Sequence, residues 1–173
     1  MRVFETRVFP FLLLLFLASC TVVVPHAHAT SYADVPIDSL WVHADCVVEG
    51  NVVQIWSGWT PDSTSIRTWI QLDVLIVHAG PCVIGLRTLG FWGGETDSVA
   101  SVVDGTPSFA VGERVLLFLD ERPGVLFPTL GLDMGKFTVS INPTTGEERL
   151  VSRHYGRVSR SSLLQAKRAR GPR

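Results

Sequence analysis

The sequence predicts a mainly β domain, a small barrel or sandwich of five to six strands with one short helix ahead of it. Three observations predict this. Short apolar runs recur at even spacing between Gly- and Pro-rich turns, the pattern of an all-β fold. One run, Gly112-Glu113-Arg114-Val115-Leu116-Leu117-Phe118-Leu119, is apolar on both sides from Val115 on. Side chains alternate along a strand, so Val115, Leu117 and Leu119 face one way and Leu116 and Phe118 the other, and both faces are expected to be covered. Ahead of the strands, Ile37, Leu40, Trp41 and Ala44 fall at i, i+3, i+4 and i+7, one apolar face of a helix over 36–45.

The first residues read differently. Arg2 and Arg7 precede an apolar run over 8–24, Pro25 breaks it, and Ala27-His28-Ala29 gives an A-x-A cleavage site before Thr30. Residues 1–29 are therefore expected to be a signal peptide and the product exported, periplasmic or extracellular. A membrane anchor fits less well, because the run is short for a span and a cleavage site follows it. A second processing signal lies inside: Leu17-Ala18-Ser19-Cys20 resembles a bacterial lipobox, which would leave an acylated Cys20 at the mature N-terminus. One product is free and the other is tethered to the envelope.

Charge is unevenly spread, although the whole chain carries a net charge of −1. From Thr30 to Ser152 there are 6 Lys and Arg against 15 Asp and Glu; from Arg153 to Arg173 there are 7 and none. This divides the exported chain into a β domain over 30–152 and a basic tail over 153–173, with Ser161-Ser162 placed to cap a short helix. The tail reads as a solvated segment that lies on the acidic body or meets an anionic membrane surface. An acidic body argues against nucleic acid as a partner.

Within the domain the strands are expected at 47–56, 66–77, 83–89, 112–119, 125–127 and 135–141, with 148–152 pairing back. Gly50 inside the first marks a bulge or a close backbone approach. In the second, Ile66, Thr68, Ile70, Leu72, Val74 and Ile76 alternate inward, and Arg67, Trp69, Gln71 and Asp73 outward. Asp120-Glu121-Arg122-Pro123-Gly124 reads as the turn of a hairpin that returns along 125–127. The stretch 90–111 is long and irregular, the kind of loop that is often functional.

Two cysteines follow the leader, Cys46 and Cys82. In an oxidising compartment such a pair predicts a disulfide, the alternative being two buried thiols. A hairpin turning at Thr60-Pro61 puts Cys46 opposite Ile76, with Cys82 just beyond.

Ala44-Asp45-Cys46-Val47-Val48-Glu49-Gly50-Asn51-Val52-Val53, the Gly112–Leu119 run, and Gly131-Leu132-Asp133-Met134-Gly135-Lys136-Phe137-Thr138-Val139 together carry a resemblance. They resemble blocks shared by uncharacterised exported bacterial proteins. More distantly, residues 34–141 are similar to the netrin-like domain of the tissue inhibitors of metalloproteinases. That similarity implies an OB-fold-like barrel, closed or partly open, and an inhibitor-like role. The inhibitors begin with Cys-x-Cys, which chelates the protease zinc; here the expected start is Thr30-Ser31-Tyr32, so that wedge does not carry over.

The chemistry-bearing residues do not assemble into a catalytic set. His43, His78 and His154 lack metal-ligand spacing, no G-x-S-x-G elbow occurs, and Cys46 sits beside Val47-Val48 in a structural setting. Gly90-Phe91-Trp92-Gly93-Gly94 lacks the Lys and the strand-to-helix context of a phosphate loop. No enzyme, metal or cofactor is expected. The tryptophans point elsewhere. Trp41 takes a core position on its helix, and Trp69 faces out. Trp56, Trp59 and Trp92 lie in or beside loops, where aromatics stack on sugars, bases or peptide side chains, or else close the barrel ends. The expectation is a secreted, non-catalytic binding or inhibitor-like module that holds a protein or carbohydrate ligand through barrel-end loops. The alternative is a lipid-anchored envelope accessory protein tethered through Cys20.

Overall fold

The structure, a computed structural model, describes residues 35–168. The expected signal peptide over 1–29, with Cys20 and Ala29, lies outside them. The order is α1 (Ile37–His43), β1 (Cys46–Trp59), β2 (Ile66–Ala79), β3 (Gly85–Trp92), the two-residue strands β4 (Gly94–Glu95) and β5 (Ala100–Ser101), and β6 (Arg114–Leu119). A 3₁₀ turn (Leu132–Gly135), β7 (Lys136–Ile141), β8 (Glu148–Ser152), β9 (Gly156–Ser159) and α2 (Arg160–Arg168) complete it. Seven strands form one antiparallel sheet, ordered β3-β2-β1-β6-β7-β8-β9, and β4 and β5 pair separately. The expected five to six strands are exceeded, and the hydrogen-bonded sheet is open, with β3 and β9 at its edges.

The central position of β6 follows from its sequence. Val115, Leu117 and Leu119 enter one core with Cys46, Val48, Ile70, Leu72, Val74 and Phe91. Leu116 and Phe118 enter a second core with Leu40, Trp41, Val47, Phe137, Leu150 and Leu163. A strand buried on both faces has no polar position to spare, hence its unbroken apolar run. The α1 face lands as its periodicity requires: Leu40 and Trp41 are buried, and the Trp41 ring meets Phe118 edge-on at 4.9 Å.

Strand β1 spans fourteen residues and is irregular at three points. Gly50 is the close approach expected there: a Cβ on it would lie 2.2 Å from the Asp73 carbonyl oxygen. The register skips Leu75 and His78 on β2 and Val53 on β1. An extra residue reverses the alternation beyond it. Ile66, Ile70, Leu72 and Val74 are therefore buried as expected, but Ile76, past Leu75, is 37% exposed and Val77 packs inward in its place.

Two further expectations are corrected. Residues 125–127 form no strand. The Asp120 carboxylate accepts hydrogen bonds from its near neighbour Arg122, through the backbone N–H and Nε, and curls the chain. The return runs farther out, as Asp120 N–H to Pro128 O and Leu130 N–H to Phe118 O. The proposed boundary at Ser152 also falls inside the fold. Strand β9 pairs with β8, and Leu163 on α2 is 1% exposed in the second core. Tyr155 stacks on Phe137 at 5.8 Å and donates its hydroxyl to Val35 O at 2.6 Å. Apolar contacts and ladder bonds outweigh the basic composition, so 153–168 completes the domain.

These packing assignments predict a contrast. Phe118→Ala should cost about 3–5 kcal/mol, the range for a large aromatic removed from a packed core. Leu126→Ala, in the segment that makes no strand, should cost no more than about 0.5 kcal/mol. Urea unfolding monitored by circular dichroism reads both, and equal costs would overturn the placement.

Candidate functional site

The outer face of β1–β2–β3 carries the aromatic residues. Cross-strand pairing sets Trp56 opposite Trp69, Trp69 opposite Gly90, and Arg67 opposite both Gly58 and Trp92. Directly opposed residues share a face, so these side chains lie together on the side away from the first core. The Trp56 and Trp69 rings are stacked, with centroids 6.2 Å apart and planes 17° apart. A Cβ added to Gly90 would come 3.2 Å from Trp69 Cδ1 and Nε1, and one added to Gly58 would come 3.6 Å from its Cζ3. The Trp69 indole therefore lies across two glycines and stays flat against the sheet. Arg67 places its guanidinium carbon 4.7 Å from the Trp92 ring centroid, a cation–π contact. Gln54 and Gln71, paired next along the ladder, add amide groups on the same side.

Of the three tryptophans singled out by sequence, the structure brings Trp56 and Trp92 to this face and leaves Trp59 off it. Trp59 pairs with Ile66 and so belongs to the opposite face. Trp69, which the sequence assigned only an outward direction, and Arg67 join the group. The signal that would have found them is the register of the first hairpin. Its turn is centred beyond Pro61, with Thr60 N–H bonded to Ser65 O at 2.8 Å and Ser63 at a positive φ of 55°. Of the long 90–111 segment, Gly90 and Trp92 belong to the face. Its remainder, with Phe91 and Phe109, walls a cleft of about 450 Å³ against Ile55, where the Ser57 and Thr68 hydroxyls are 2.8 Å apart.

Cys46 and Cys82 lie at disulfide distance, with Cα atoms 6.0 Å apart. The route differs from the expected one. Because the hairpin turns beyond Pro61 and β2 carries a net one extra residue over β1, Val47 lies opposite Ala79, and Cys46 falls beyond Ile76, next to the turn. Gly80 permits the approach: a Cβ there would lie 2.0 Å from the Asp45 carbonyl oxygen. Cys46 is buried in the first core, and the Cys82 sulfur accepts from Arg87 Nη1 at 3.0 Å.

A second polar cluster was not legible in the sequence. Glu49 is 0% exposed on the second-core side of β1. It accepts from His78 Nε2 at 2.9 Å and from Arg160 Nη2 at 2.7 Å, and Arg114 Nη2 lies 2.6 Å from it. Arg114 and Arg160 also both bond Glu148. Two guanidinium groups and two carboxylates thus alternate around one ring, with the imidazole as a further donor. Burial alone pushes the Glu49 carboxyl up. The hydrogen bonds from His78 and Arg160, with the charges of Arg160 and Arg114, outweigh that and hold it below its ordinary value of 4.5. Every oxygen of Glu49 is engaged by donors from other elements, so the arrangement joins β1, β2, β6, β8 and α2. His43 is at a helix end, on Ser39 O at 2.8 Å, and His154 packs against Tyr155.

No protein-family model, curated protein or solved structure matches this chain.

The Glu49 ring has a pH signature. A carboxyl depressed in the folded state contributes its full stability above the unfolded value and loses it as pH falls through the folded one. Glu49→Gln should cost about 3–5 kcal/mol near pH 7, because Arg114 and Arg160 lose a buried counter-charge. The gap should shrink as pH is lowered from 4.5 toward strong acid. Urea unfolding of both proteins across that range measures it, and a gap that stayed constant would show that the charge of Glu49 is not what stabilises the fold.

Proposed function

We propose that this chain is an exported, non-catalytic binding module whose contact surface is the outer Trp56–Trp69–Arg67–Trp92 face. The observation that carries this reading is the stacked Trp56–Trp69 pair, with Trp56 38% exposed. Cross-strand aromatics normally stabilise a sheet by packing under something. Here Gly58 and Gly90 lie beside the half-buried Trp69 ring and put no side chain against it, which gains a flat apolar plane shared with Trp56. A flat plane with amides next to it suits the apolar faces and hydroxyl edges of sugar rings, and carbohydrate is the ligand class favoured over protein. The contact surface moves from the loops at one end to the strands themselves. The netrin-like resemblance and an OB-fold-like closure of the sheet belong to the same reading, as the expected scaffold of an exported binding domain.

A second reading keeps the module and changes its address. Leu17-Ala18-Ser19-Cys20 favours an envelope accessory protein held by a lipid on Cys20. Intact-mass analysis of the processed chain, before and after reduction, decides this. An unmodified start at Thr30 that gains about two mass units on reduction supports the free form with Cys46 joined to Cys82. A diacyl mass on Cys20 supports the tethered form.

The binding surface is tested by electrophoresis of the purified chain through gels containing soluble polysaccharides. Trp56→Ala and Trp69→Ala should each weaken retardation about tenfold or more, as loss of a central aromatic anchor does, while thermal unfolding shows that the fold survives. Retardation unchanged in both variants, or absent from every polysaccharide, would sink the proposal.

A further inference from the structure

Arg67 differs from Arg87, Arg114 and Arg149, its counterparts elsewhere in the described sheet. Arg87 pairs with Glu121, Arg114 with Glu49 and Glu148, and Arg149 with Glu147. Among the described residues Arg67 has no carboxylate partner, and its Nε is buried without an acceptor. Carboxylates are not scarce: the described residues 35–168 carry 14 Asp and Glu against 11 Lys and Arg. The nearest acid along the chain, Asp62 in the β1–β2 turn, is committed elsewhere: it accepts from Thr60 at 2.6 Å and Thr64 at 2.9 Å. On its own strand the outward row runs Arg67, Trp69, Gln71, Asp73, which places Asp73 at the far end. The face therefore has one cationic end beside its aromatic plane.

We propose that the ligand of this face is a glycan carrying a carboxylate, with Arg67 binding the carboxylate and the Trp56–Trp69 pair carrying the adjacent ring. The inference rests on the reading of this face as a carbohydrate surface and deepens it. A guanidinium presents a planar fork of N–H donors that matches a carboxylate. Its position over Trp92 fixes its plane and removes part of the ordering cost of binding. A single cation beside an aromatic plane suits an anion set among neutral rings. It suits a continuous phosphate backbone poorly, because successive phosphates need a row of cations and this face offers one.

The test compares two oligosaccharides by isothermal titration of the purified chain. A hyaluronan hexasaccharide alternates uronic acid with N-acetylglucosamine; chitohexaose is N-acetylglucosamine throughout and neutral. The hyaluronan fragment should bind about tenfold more tightly at low salt, the worth of one charge-assisted contact, and the preference should shrink as salt is raised. Arg67→Gln should erase the preference while leaving the weaker, shared affinity. Arg67→Lys should restore only part of it, since the fork is lost. Trp69→Ala should weaken both ligands alike. Equal binding of the two sugars, unaffected by Arg67→Gln, would overturn the carboxylate assignment and leave the aromatic carbohydrate surface standing. Binding of neither would overturn both. A single-stranded oligonucleotide bound more tightly than the hyaluronan fragment would overturn the glycan in favour of nucleic acid.

Discussion

A carboxylate with no access to water constrains most of this molecule. Glu49 sits near the start of β1, opposite Leu116, where an apolar side chain would have packed without further demands. An ionised group there is tolerable only if it is fully hydrogen-bonded and its charge is met. The donors come from β2, β6 and the start of α2, and Glu148 on β8 shares the two arginines between them. The requirement is geometric as well as energetic. Helix α2 must begin at Arg160, β8 must present Glu148, and β2 must carry extra residues to bring His78 round. An apolar contact would accept a shifted helix; this ring of paired charges accepts one arrangement, and Leu163 then seals the core beside it.

The same bulges connect the buried ring to the surface. Skipped residues at Leu75 and His78 re-aim β2 so that His78 reaches Glu49 and the chain turns at Gly80 toward Cys82. Farther along, where pairing is regular from Gln54 to Trp59, Trp56 meets Trp69 and Arg67 meets Trp92 across uninterrupted ladders. One hairpin thus has an irregular half that organises the core and a regular half that displays aromatic rings.

What was legible in the sequence was local. The two-sided apolar run of β6, the helical face of α1, the close approach at Gly50 and the direction of Trp69 each follow from a few neighbouring residues. What was not legible depended on registers and partners distant in the chain. Ile76 changes face because of one unpaired neighbour. The 125–127 strand is absent because Asp120 bonds Arg122 rather than continuing the ladder. Glu49 and Arg160 are separated by 111 positions, and no spacing rule joins them. The basic composition after Ser152 also concealed Leu163 and Tyr155, two apolar anchors that hold that segment on the body. At the aromatic face the residue types were visible, but their grouping was set by where the first hairpin turns, and that placed Arg67 with Trp92 and left Trp59 aside.

The distance between Glu49 and its last donor has a consequence for the order in which the chain becomes a protein. A nascent chain has made β1 and β2 long before Arg160 and α2 exist, and until then a charged group intended for the interior has no complete set of partners. The first core can gather early, yet the second cannot shut until α2 has been synthesised. Under the export proposed above, such late closure would be useful: it would keep the translocating segment pliable and delay locking until α2 arrives on the far side.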